Sequence, residues 1–119
     1  MYIGIDLGTS NSSIASYNNG TVAVALTNES ERILPSVIYI GSTGSRLFGQ
    51  RAYEQTVLEP QNVVSGFKRL MGTSTPIQLE SGVMMTPEEA STEIIRQLVS
   101  QLNQATDNIT GLSLIPIPE

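Results

Sequence analysis

The order of residue patterns along the chain, strands in hairpin arrangement, then helices, then a returning strand, predicts a mixed α/β fold with helices packed on a mixed sheet. Three observations carry that prediction. Short β-branched or alternating runs crowd residues 2–40, and an Asn18-Asn19-Gly20 hairpin signal joins two of them. A long run with apolar residues at helical spacing then occupies 87–105.

The first strand is expected over 2–7, with Ile3, Ile5 and Leu7 on one face. A second over 12–17 turns through Asn19-Gly20 into a third over 21–26, and 27–32 is polar loop. The β-branched run 36–40, bounded by Pro35 and Gly41, is a further strand, with a short one at 46–49. Residues 50–58 have helical composition, punctuated by Glu59-Pro60. The spacing of Val64, Phe67, Leu70 and Met71 predicts a second helix over 61–71, closed by Gly72. Short apolar runs at 77–79 and 83–85 flank Glu80-Ser81-Gly82 as a small hairpin. Thr86 is placed to cap the helix that follows, with Pro87 at its first position and Glu88 and Glu89 beside the positive end of its dipole. Ala90, Ile94, Leu98 and Leu102, with Ile95 and Val99 beside them, form its apolar stripe. A last strand is expected over 112–117, weakened by Pro116.

Composition removes several chemistries. The 119 residues carry no cysteine and no histidine, which excludes disulfides, thiolate or imidazole metal ligands and any Ser-His-Asp arrangement, so a metal here must be bound by oxygen. A net charge of −5 with only 6 basic residues leaves no basic patch for nucleic acid and disfavours anionic membranes. Neither a secretion signal nor a membrane-length apolar run is present, so a cytoplasmic location is the expectation.

The most informative stretch is Gly4-Ile5-Asp6-Leu7-Gly8-Thr9-Ser10-Asn11-Ser12. A carboxylate near a strand end, a glycine at the bend and hydroxyls after it are what a magnesium-phosphate group needs from a short loop. Glycine lets backbone amides approach oxygen, hydroxyls add donors, and hydrated Mg²⁺ takes few protein ligands. The same residues also suit an ordinary hairpin turn. No G-x-x-x-x-G-K-[ST] and no G-x-G-x-x-G occurs, which rules out the P-loop and the dinucleotide fingerprint. Lys68 is the chain's one lysine and Asp6 one of its two aspartates. Lys68 is either a solvated cation beside Arg69 or a point charge for phosphate oxygens and an attacking water.

Residues 3–15 (IGIDLGTSNSSIA) closely resemble the first phosphate motif of the Hsp70 chaperones, in the actin, Hsp70 and sugar kinase superfamily. Leu34-Pro35-Ser36-Val37, Phe48-Gly49-Gln50-Arg51-Ala52, Asn62, Phe67-Lys68-Arg69-Leu70-Met71-Gly72, Thr86-Pro87-Glu88-Glu89 and Pro118 follow in the family's order. The short segment between Gly72 and Thr86 is similar to that of short-insert HscC-type homologues. Leu34 stands where the family commonly has threonine, and Pro116 and Glu119 depart from its usual Val-Pro-Ala-Tyr ending.

The resemblance implies the actin-like ATPase (ribonuclease H-like) fold, here as an N-terminal piece. Subdomain IA would take 1–35 and 106–119, and subdomain IB 36–105. It implies ATP or ADP with Mg as cofactors: Asp6 holding the metal through water, Gly8, Thr9, Ser10 and Asn11 binding phosphates, and Lys68 as the catalytic residue. The implied function is that of a chaperone whose parent couples MgATP hydrolysis to binding and release of unfolded polypeptide, with J-domain or nucleotide-exchange co-chaperones as partners and no nucleic acid or membrane. The piece by itself is expected to be inactive. An actin-like filament or scaffold protein, or a truncated non-catalytic interaction module, are the alternatives.

Overall fold

The computed structural model describes residues 2–27, 29–73 and 75–107, with side chains to 104. Strands β1 (Tyr2–Leu7) and β2 (Asn11–Asn18) form an antiparallel hairpin that starts from the pair Leu7↔Ser12. The Asn19-Gly20 turn takes positive φ at both residues, 52° and 81°, and returns the chain into β3 (Thr21–Val24). Paired left-handed residues match the twist of the strands they join. The short β4 (Leu34–Pro35), not anticipated from the sequence, pairs with the start of β2.

A second sheet has the order β6-β5-β7, with β5 (Val37–Ile40) between β6 (Arg46–Phe48) and β7 (Val63–Ser65). Helix α1 (Gln50–Leu58) packs on it. Tyr39 Oη donates to Glu59 just past the helix end, and that carboxylate pushes the Tyr39 hydroxyl above its ordinary value. Strands β8 (Ile77–Gln78) and β9 (Met84–Met85) make the expected small hairpin. All strand pairs among the described residues are antiparallel.

The second expected helix does not form. Residues 61–71 instead give a 3₁₀ turn (Pro60–Asn62), strand β7 and another 3₁₀ turn (Phe67–Leu70). Val63 and Val64 are taken up by the free edge of β5, a long-range pairing that overrides the apparent helical spacing. Gly66 then turns left-handed at φ 64°, which stops any regular element there.

Helix α2 (Pro87–Asp107) is the long element that the sequence predicts. Thr86 and Glu89 bond reciprocally at its start: Glu89 N–H donates to Thr86 Oγ1 at 3.1 Å, and Thr86 N–H donates to Glu89 Oε1 at 2.9 Å. This capping box satisfies two backbone donors. Ala90, Ile94, Leu98 and Leu102 are all at most 3% exposed, whereas Val99 lies outside the stripe at 40%. Their ladder meets Ile14 of β2, Ile38 and Ile40 of β5, Val64 and Phe67 in one core. On the opposite face of β5, Val37 and Tyr39 pack with Ala52 of α1. Both faces of β5 are thus buried, and the residues just before it are fixed against the β1–β2 hairpin. The last expected strand, 112–117, lies outside the described residues.

Candidate functional site

The tip of the β1–β2 hairpin is the site that the sequence singles out. Gly8 N–H donates to Asn11 O at 3.0 Å, so Thr9 and Ser10 form the turn proper. A Cβ on Gly8 would lie 2.2 Å from Asn11 O, closer than any real contact allows. Only glycine lets the two backbones approach this far. Thr9 is half-buried, and Ser10 and Asn11 are exposed. Among the described residues no side-chain hydrogen bond engages any of these three.

The loop is supported from below by two serines to which the sequence reading gives no role. Ser36 N–H donates to Ser10 O at 2.8 Å and Ser36 Oγ donates to Gly8 O at 2.9 Å. Ser12 Oγ lies 2.7 Å from Ser36 Oγ, and both serines are 1% exposed. Ser36 belongs to the quoted Leu34-Pro35-Ser36-Val37 motif, which is the signal that could have found it.

Asp6 sits two residues before Gly8 on β1, opposite Ser13, with its side chain exposed. The described residues contain no group of three His, Cys, Asp or Glu that could enclose an ion. A lone exposed carboxylate suits a hydrated magnesium, which keeps most of its waters, and does not suit a dedicated protein cage. The donor set present therefore fits Mg²⁺ held with phosphate.

Lys68 stands on the 3₁₀ turn Phe67–Leu70, not on the expected helix. Phe67 beside it is 1% exposed and anchors the turn in the core, while Lys68 itself is exposed. The ion pairs among the described residues join Glu93 to Arg46 and Arg96 and leave Lys68 and Asp6 uninvolved. Asp6 and Gly8 to Asn11 are thus brought together on one hairpin, and no hydrogen bond or ion pair ties Lys68 to them.

A cleft of about 280 Å³ next to the loop is lined by Asn11, Thr27, Glu29, Glu31, Leu34 and Gln50 among others. It includes none of Asp6, Thr9, Ser10 or Lys68, and its two glutamates make it a poor anion site. No helix among the described residues is long and apolar enough to cross a membrane. Compared with models of known protein families, residues 2–93 match the one described as Hsp70 protein. That span takes in the hairpin loop, Ser36, Lys68 and the first turns of α2.

Proposed function

The chain belongs to the Hsp70 family of ATP-dependent chaperones, and from that premise we propose that its hairpin loop is one half of a MgATP phosphate site. The observation that supports this most is the loop itself, a glycine-dependent turn with unengaged hydroxyls next to an exposed carboxylate. In this reading Thr9, Ser10 and Asn11 donate hydrogen bonds to phosphate oxygens through backbone N–H groups and side chains. Asp6 accepts hydrogen bonds from the hydration shell of the metal. A magnesium ion held there would supply neutralisation of phosphate charge.

Lys68 is the proposed catalytic residue. Its ammonium carries three donors on a flexible stem. From its core-anchored turn it would orient the attacking water and offset negative charge that develops on the γ-phosphate. The same reading assigns 1–35 and 106–119 to one subdomain and 36–105 to another, and takes unfolded polypeptides and co-chaperones of the J-domain and nucleotide-exchange kinds as partners.

Single-turnover ATP hydrolysis by the full-length protein tests the role of Lys68. Lys68→Ala should slow hydrolysis by roughly 10²–10³-fold, the usual effect of removing one preorganised donor. Affinity for MgADP should be nearly unchanged. A hydrolysis rate equal to wild type would remove Lys68 from the chemistry.

A further inference from the structure

Ser36 touches the loop twice without belonging to it. It grips the Ser10 carbonyl with its N–H and the Gly8 carbonyl with its hydroxyl. A serine hydroxyl has one proton, and that of Ser36 is committed to Gly8. Ser12 must therefore be the donor in the Ser12–Ser36 contact. The result is a directed chain from Ser12 O–H to Ser36 O–H to the Gly8 carbonyl, buried where hydrogen bonds polarise and strengthen one another.

The orientation of the loop's donors follows from this grip. A trans peptide unit is planar, with its C=O and N–H pointing in opposite directions, and no cis bond occurs among the described residues. Holding the Gly8 carbonyl toward Ser36 turns the Thr9 N–H away from Ser36. Holding the Ser10 carbonyl does the same to the Asn11 N–H. Cross-strand partners share a face of the sheet, so Leu7 and Ser12 lie on the core face and Asp6 and Ser13 on the other. The serine pair works from the core face, opposite the face that carries Asp6, and the Thr9 N–H points away from Ser36.

We infer that Ser36 is a positioning residue for phosphate binding: through the Gly8 and Ser10 carbonyls it aims the backbone donors of Thr9 and Asn11 at the anionic oxygens of a phosphate-bearing ligand. This rests on the reading of Gly8 to Asn11 as a phosphate loop. The ligand class is a magnesium-bound nucleoside di- or triphosphate, and the effect falls on the phosphates alone.

Calorimetric titration of the full-length protein with MgADP and, separately, with adenosine tests it, because adenosine lacks the phosphates. Ser36→Ala should weaken MgADP binding about tenfold, as expected for one lost buried hydrogen bond, and leave adenosine binding unchanged. Ser12→Ala keeps the Ser36–Gly8 bond and should weaken MgADP by a smaller factor, again sparing adenosine. Equal weakening of both ligands, or unchanged MgADP affinity, would overturn the positioning role. If Ser36→Ala does not fold, Ser12→Ala decides, and a loss of MgADP affinity matched by adenosine counts against it. Wild-type protein that binds MgADP no more tightly than adenosine would instead defeat the phosphate-loop reading itself, and the role of Ser36 with it.

Discussion

Gly8 is where the hairpin has least freedom. Its missing side chain leaves room for Asn11 O, which a Cβ would meet at 2.2 Å. The neighbour is backbone, held in the β2 ladder, and cannot swing away as a flexible side chain could. Gly8→Ala should therefore lower stability by about 1–3 kcal/mol, the usual range for forced overpacking. Urea denaturation measures this directly, and a loss below about 0.5 kcal/mol, within the range of neutral surface changes, would mean that the turn can relax. Gly49 is constrained differently: its φ of 69° is left-handed, which disfavours any side chain there, whereas the atom a Cβ would meet at 2.4 Å is Leu34 Cδ1, the end of a side chain.

At the scale of elements, α2 owes its position to the ladder Ala90, Ile94, Leu98, Leu102 and its start to the Thr86–Glu89 box. The Thr86 backbone N–H, and after it the Thr86 hydroxyl, hold the Glu89 carboxyl below its ordinary value of 4.5. A carboxyl whose folded-state value is depressed adds stability above its unfolded value, and that stability is lost as pH falls through the folded one. Wild type should thus melt above Glu89→Gln at neutral pH, with the gap closing as pH drops below 4.5. Melting curves of the two proteins across that range provide the test. A gap independent of pH would mean that the carboxylate charge contributes nothing to the cap.

Across the whole molecule, contiguous signals were the legible ones. The Asn19-Gly20 turn and the capping residues at 86–89 carry their meaning within a few positions, so the hairpin and α2 stand where the sequence places them. Asp6 and Gly8 to Asn11 are likewise contiguous, one short stretch on one hairpin. Segment 61–71 departs from the expected helix because Val64 and Phe67 satisfy helical spacing, while the strand that takes up Val63 and Val64 depends on an edge of β5 supplied by residues 37–39, and Phe67 falls in the 3₁₀ turn after it. The contacts of Ser36 are long-range too, since its hydroxyl meets partners 24 and 28 residues away, and only its place in the Leu34-Pro35-Ser36-Val37 motif marks it in the sequence. Long-range contacts decide both, and spacing along the chain does not record them.

One core joins the β1–β2 hairpin to α2, β5 and the Phe67 turn, so the loop and Lys68 rest on the same packed body. The central claim, that the hairpin tip receives the phosphates of a magnesium nucleotide, is tested most directly by amide NMR of the full-length protein titrated with ADP, with magnesium present and then chelated. The prediction is magnesium-dependent shifts at Thr9, Ser10 and Asn11, accompanied by Asp6. Shifts confined to the cleft of Thr27, Glu29 and Glu31, or none at the hairpin tip, would contradict it.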